Sequence, residues 1–247
     1  MIFATGDTHG NFLRFSTEHF PEQRHMGRND YVIICGDFGG IWNDSRNDRY
    51  WLDWLDNKPF TTLWVDGNHE NFDALNRLPV EEWHSGKVQR IRPNIIHLMR
   101  GQLYEIDGYT FFTMGGAKSH DVKGGILDPQ APDFKSNYRR LKAQNADFRV
   151  LHKDWWQEEL PSPEEYLTAL QTLERVNWKV DYVVTHCAPT GIAKQIAPTC
   201  DPDHLTNFLE VISRRMKFHY WLFGHYHGNQ IIQDKYVLLW EQIVQIL

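Results

Sequence analysis

The sequence predicts an α/β fold. Short apolar runs bounded by Gly, Pro, Asp or Asn recur along the chain, and helical patterns separate the early ones. The first three runs are spaced by about one strand–helix–strand unit, which takes ~30 residues. The 247 residues fit one large domain as easily as two small ones, and at 41% hydrophobic they can bury a substantial core.

The strands expected in order are "MIFAT" (1–5), "YVIIC" (31–35), "TTLWV" (61–65), "NIIHL" (94–98), "YVVTH" (182–186), "HYWLF" (219–223) and "YVLLW" (236–240). "QLYEIDGYTFFTM" (102–114) reads as a hairpin turning at Asp107-Gly108. Two later helices announce their starts. "SPEEYLTALQTLERV" offers Ser162 as N-cap, Pro163 in the first position and Glu165 to close a capping box. "DPDHLTNFLEVISRRMK" offers Asp201 as cap with Pro202 behind it. Its basic end, Arg214, Arg215 and Lys217, suits the negative end of a helix dipole. Leu205, Phe208, Leu209, Ile212 and Met216 recur there at helical spacing and read as core.

Composition narrows the function classes. The net charge of −6 argues against a general nucleic-acid binder, for which a basic balance is expected. Cys35, Cys187 and Cys200 form no close pair and no metal-type spacing, which suggests a reducing compartment. "MIFATGDTHG" lacks the charged and apolar regions of a secretory signal, and no apolar run approaches the ~20 residues of a membrane span. The expectation is a soluble cytoplasmic protein with no membrane partner. Residues 115–153 differ from their surroundings: eight Lys or Arg against four Asp give +4, leaving −10 for the rest. This Gly- and Pro-broken stretch reads either as a solvated insertion or as a functional loop.

Strand ends carry the chemistry. "GDTHG" (6–10), "GDFGG" (36–40) and "GNHE" (67–70) follow the first three strands. Parallel strands bring Asp7, Asp37 and Asn68 to neighbouring carboxyl ends of one sheet, where ligand sites of open α/β sheets form. "VVTHC" ends on His186, and "WLFGHYHG" ends on His225 and His227. With His9 these make two aspartates, one asparagine and four histidines. Carboxylate, amide oxygen and imidazole without thiolate suit Mn, Fe or Zn. Seven ligands are too many for one tetrahedral site and suit two ions about 3.5–4 Å apart with one bridging ligand. Asp37 is the natural bridge, because two cations remove the cost of a buried carboxylate. A lone strand-end His is more often a satisfied core or surface residue, but five such motifs in this order rarely coincide.

In these blocks the sequence resembles the calcineurin-like metallophosphoesterases, whose pattern is a D-x-H, a GD, a GNH followed by D or E, a lone His and a G-H-x-H. Here these are "DTH", "GD", "GNHE", His186 and "GHYH", spanning residues 6–228. The resemblance implies a four-layer α/β/β/α sandwich with mixed sheets, as a single domain over 1–247. It implies two divalent or trivalent ions, one on Asp7, His9, Asp37 and His227, the other on Asp37, Asn68, His186 and His225. A hydroxide bridging them would attack phosphorus, and His69 would be the general acid.

The Ser/Thr protein phosphatases extend the second block to GDxxDRG, giving the GNH histidine a carboxylate partner and phosphate an arginine. This chain has Gly40, Ile41 and Trp42 there, leaving Asp44 or Asp66 as possible partners for His69. A looser resemblance is to bacterial and phage single-domain members that share "MGGAKS" (114–119) and "DWWQEELPS" (154–162). These frame an insertion, 115–160, expected to fold over the crevice. From it Lys118, Lys123, Arg139 and Arg140 would contact phosphate, and Trp155 and Trp156 would stack on a ring or pack in the fold. The expected substrate is a small phosphorylated metabolite or nucleotide, as monoester or diester. The alternatives are a protein phosphatase, a nuclease, and a non-catalytic metal-binding scaffold for a protein partner.

Overall fold

The computed structural model describes all 247 residues. Fifteen strands are present: β1 (Ile2–Thr5), β2 (Tyr31–Cys35), β3 (Thr61–Val65), β4 (Val80–Trp83), β5 (Gly86–Arg92), β6 (Ile95–Leu98), β7 (Gln102–Ile106), β8 (Tyr109–Met114), β9 (Ile126–Leu127), β10 (Arg149–Val150), β11 (Tyr182–Thr185), β12 (Tyr220–Phe223), β13 (Gln230–Ile232), β14 (Tyr236–Leu238) and β15 (Val244–Gln245). The helices are α1 (Arg46–Asp56), α2 (Phe72–Leu75), α3 (Phe134–Ala143), α4 (Pro163–Arg175), α5 (Thr190–Ile196) and α6 (His204–Arg215).

Two mixed sheets pack face to face. One runs β15-β1-β2-β3-β6-β5-β4 and the other β13-β14-β12-β11-β8-β7. Their central strands are parallel: β1, β2, β3 and β6 in the first, β8, β11, β12 and β14 in the second. All carboxyl ends within each parallel set therefore lie at the same edge.

The period-two alternation of a strand explains the layers. On β2, Ile33 and Cys35 point between the sheets, where they join Leu63, Val184 and Leu222. Val32 and Ile34 point outward and pack under Leu52 and Leu55 of α1. On β11, Val183 points outward to Leu173 of α4 and to Leu205 and Leu209 of α6. Strands buried on both faces read as continuous apolar runs, as "YVIIC" and "TTLWV" do. The result is the α/β/β/α sandwich.

Two elements differ from the sequence expectation. α6 is capped by Asp203, whose side chain accepts from Thr206 N–H while the Thr206 hydroxyl closes the box. Asp201 lies outside the helix, because Asp203 stands directly before its first residue, His204, with Thr206 at the spacing that closes the box. Within 115–160, α3 occupies Phe134–Ala143, and β9 pairs with β10 as a separate two-stranded ribbon. Phe134, Tyr138 and Leu141 do recur at helical spacing, hidden among six charged or polar neighbours. This segment is tied to the body through Asp73 of α2, which accepts from Trp156 Nε1 at 2.8 Å and lies 3.0 Å from His152 Nδ1. Trp156 is a fully buried core residue.

Candidate metal centre

The strand-end loops converge at one edge of the sandwich. His9, Asp37, His225 and His227 all adopt left-handed backbone conformations, with φ of 45°, 47°, 67° and 46°. Non-glycine residues adopt this region at a cost, and such outliers cluster where a site fixes its side chains. The glycines beside them are required by space. A Cβ at Gly36 would lie 2.0 Å from the His186 ring, and one at Gly224 would lie 2.1 Å from Asp7 Oδ1.

Each converging side chain is held by one atom and offers another. Asp7 Oδ1 accepts from the His225 N–H at 2.9 Å, and Asp37 Oδ1 accepts from the His69 N–H at 2.8 Å. His186 Nδ1 donates to the Cys35 carbonyl at 2.8 Å. Asn68 Nδ2 donates to Ser119 Oγ at 3.2 Å, and Ser119 in turn donates to Glu159 at 2.5 Å. That chain orients the amide so that Asn68 Oδ1 faces His186 Nε2 at 3.3 Å.

The free atoms crowd together. His186 Nε2 lies 3.3 Å from Asp37 Oδ2, His227 Nε2 lies 3.1 Å from Asp7 Oδ2, and His9 Nε2 lies 3.3 Å from His227 Nε2. His9 Nε2 is 3.7 Å from Asp37 Oδ2. Asp7 Oδ2 is buried and completes no hydrogen bond. Asp7, His9 and His227 each offer a ligand atom within 4.8 Å of the others, and so do Asp7, Asp37 and His186. Ligands about 2.0–2.2 Å from a shared ion sit roughly 3.0–3.5 Å apart. The spacing and the orphaned carboxylate oxygen therefore fit metal ions. His225 stands slightly apart, its Nε2 3.2 Å from His120 Nε2, and Cys200 Sγ follows at 3.6 Å.

The charges are strongly coupled. Burial alone would raise the Asp37 carboxyl, but the imidazoles of His186, His69 and His9 hold it far below the usual range. Burial alone would lower His186, but Asp37 and Asp7 outweigh it and push it up to about 10. His225 is driven down to about 3 by burial and by His186. Without metal, His186 thus carries the proton that balances the aspartates at neutral pH. Metal ligation needs the neutral imidazole. We therefore expect metal binding at pH 7 to release protons and to weaken as pH falls. Calorimetric titration in buffers of different ionisation heat measures this, and a buffer-independent heat would contradict it. The metal-free fold should show the complement. Because the folded value of His186 lies above its ordinary 6.5, that stabilisation is complete below pH 6.5 and is lost as pH rises toward 10.

Residues outside the motifs support the site. Glu70 is buried and accepts N–H groups from Phe38, Gly39 and Gly67, tying the Asp37 loop to the Asn68 loop. Arg14 donates to the Asp7 carbonyl at 2.7 Å and to Trp240 O at 2.6 Å. Glu70 belongs to the "GNHE" block, and Ser119 and Glu159 to the two stretches that frame the insertion, whereas Arg14 and His120 carry no local signal.

His69 lies beside the centre, its ring 5.5 Å from that of His9. Its imidazole has no carboxylate partner. Asp66 is engaged elsewhere, by Arg100 and by His97 Nε2 at 3.1 Å, and Asp44 is exposed near Arg49. A Cβ at Gly40 would lie 2.5 Å from the Phe38 ring, so no side chain fits where the protein phosphatases have their acid. Burial, Arg149 and His186 lower His69 despite Asp37.

The insertion contributes differently from expectation. Arg149 lines a cavity with His69 and His9. Lys118 and Lys123 line another with His225 and His227. Arg139 and Arg140 lie exposed on α3, lining neither, and Arg140 bonds Gln144 and Asn137.

The family model described as calcineurin-like phosphoesterase matches residues 1–229. Among curated proteins, the chain is 25% identical over 152 residues to the lariat debranching enzyme of Homo sapiens, covering 55% of this chain and 26% of that protein. It is 24% identical over 143 residues to the lariat debranching enzyme of Gallus gallus, covering 51% and 25%. The match thus takes in about a quarter of the length of these relatives.

Proposed function

We infer the chemistry of this site from one premise: the chain belongs to the calcineurin-like phosphoesterase family and is a metal-dependent hydrolase of phosphoester bonds. We propose that Asp7, His9, Asp37 and His227 hold one ion and that Asp37, Asn68, His186 and His225 hold a second. The observation that carries this reading is the crowding of His227 Nε2 on the buried Asp7 Oδ2 at 3.1 Å and of His186 Nε2 on Asp37 Oδ2 and Asn68 Oδ1 at 3.3 Å. Mn, Fe and Zn all suit such a donor set. When bound, such ions supply Lewis acidity toward phosphoryl oxygens and an activated water as nucleophile.

The chain's own residues do the rest. Asp37 holds the His69 backbone by its N–H, fixing where the imidazole stands. His69 is placed to donate an N–H to the leaving oxygen. Burial, Arg149 and His186 disfavour its charged form, so it acts first as a hydrogen-bond donor, and an approaching phosphate anion favours the charged form. Arg149, paired with Asp121 on the same flank, offers the guanidinium missing from the second motif block. We propose a small phosphorylated metabolite or nucleotide as substrate. The absence of a carboxylate beside His69 argues against a protein phosphatase of the GDxxDRG type.

The test is hydrolysis of an aryl phosphate by manganese-loaded protein, with loss of activity after EDTA and recovery on adding metal. Full activity after EDTA would remove the metal-dependent reading. His69→Ala should leave metal content unchanged and slow turnover by roughly 10²-fold, within the range of a positioned proton donor. Arg149→Ala should instead raise KM, with a smaller effect on kcat.

A further inference from the structure

Two cavities flank the metal centre, and they differ in character. The first, about 440 Å3, carries His69, Trp42, Trp51 and Arg149. The second, about 700 Å3, carries Lys118, Lys123, His120 and Tyr226. They share no lining residue. The first touches the centre at His9 and the second at His227, whose Nε2 atoms are 3.3 Å apart. A phosphate held at the centre would therefore face both spaces. A monoester has one organic arm and would use one of them. A diester has two arms and would use both.

We propose that the substrate is a phosphodiester, with an aromatic or nucleoside leaving arm in the Trp42–Trp51 cavity and a retained arm across Lys118 and Lys123. This rests on the phosphoesterase reading above and chooses between its two ester classes. In-line displacement puts the leaving oxygen on the flank of its proton donor, and His69 stands on the first flank. The indoles there are pre-positioned: Trp42 packs edge-on against Trp156 at 5.6 Å, and Trp51 against Phe12 at 6.5 Å. Both remain partly exposed, as a stacking platform requires. Across the centre, Lys118 and Lys123 are exposed and form no ion pair, with Asp201 as the carboxylate of that cavity. Two unpaired ammonium groups suit an arm that carries oxygens or a further phosphate, and the larger volume admits more than a methyl group.

The experiment compares kcat/KM of the manganese-loaded protein on p-nitrophenyl phosphate, bis(p-nitrophenyl) phosphate and the p-nitrophenyl ester of thymidine monophosphate. All three release the same leaving group, so differences report the retained arm. Both diesters should exceed the monoester by about tenfold or more, the nucleotide ester most. Lys118→Ala combined with Lys123→Ala should lower kcat/KM for the nucleotide ester about tenfold more than for the monoester. Trp51→Ala should raise KM for all three by about tenfold, the effect of losing one stacking partner, and Trp51→Phe should restore it. A monoester preference, or equal lysine effects on mono- and diesters, overturns the proposal and leaves the phosphoesterase reading standing. No turnover of any ester by protein that holds its metals overturns both.

Discussion

Asp37→Asn is expected to lower turnover of an aryl phosphate by on the order of 10³-fold, the equivalent of several kcal/mol of lost electrostatic stabilisation. The substitution keeps shape and changes charge. Asp37 Oδ1 accepts the His69 N–H, while Oδ2 lies 3.3 Å from His186 Nε2 and 3.7 Å from His9 Nε2. One oxygen is therefore used as an acceptor, and the other faces the proposed ions. An asparagine must turn its Nδ2 either toward the His69 N–H or toward the centre, and a donor occupies one direction and the proposed cations the other. Circular dichroism should show an intact fold. A variant that keeps wild-type turnover would show that Asp37 does not join the two ligand sets.

Arg100→Ala carries the largest expected effect on stability, a loss of about 3–5 kcal/mol, because it leaves a buried carboxylate unpaired. Arg100 is buried, with Nε donating to Asp66 Oδ2 at 2.8 Å, Nη1 to Glu165 at 3.2 Å and Nη2 to the Glu158 carbonyl at 2.7 Å. Burial alone would raise Asp66, but Arg100 and His97 bring it down to about 2. Asp66 directly precedes Gly67-Asn68, and Glu158 and Glu165 flank the start of α4. The guanidinium thus joins the third strand end, the insertion's return and the second helical layer. For a chain of this length the melting temperature should fall by roughly 10 °C. An unchanged melting temperature would show that the network adds no net stability.

The sequence made the cluster legible because each of its side chains follows the end of a strand, and strands buried on both faces write themselves as largely apolar runs. The Ser162 capping box was legible for a similar reason: its partners lie three residues apart. β4 and β5 were missed, since "VEEW" sits at a sheet edge with alternate residues exposed and carries little apolar signal. The supports of the site were hidden by distance along the chain. Ser119 meets Asn68 across 51 residues, and Glu159 meets Ser119 across 40. Nothing local distinguishes Arg149, which faces the His69 cavity, from Arg139 and Arg140, which face solvent. That choice is made by the pairing of β9 with β10, and a two-residue ribbon leaves almost no trace in sequence. "MGGAKS" and "DWWQEELPS", which frame the insertion, meet through Ser119 and Glu159 behind the Asn68 amide.

All of the proposed chemistry depends on a centre that takes two ions with Asp37 between them. Elemental analysis by plasma mass spectrometry, after loading with manganese and gel filtration, tests it most directly. Two ions per wild-type chain are expected, with loss of retention at both sites in Asp37→Asn. A wild-type chain that retains no ion, or an Asp37→Asn chain that retains the full complement, would contradict it.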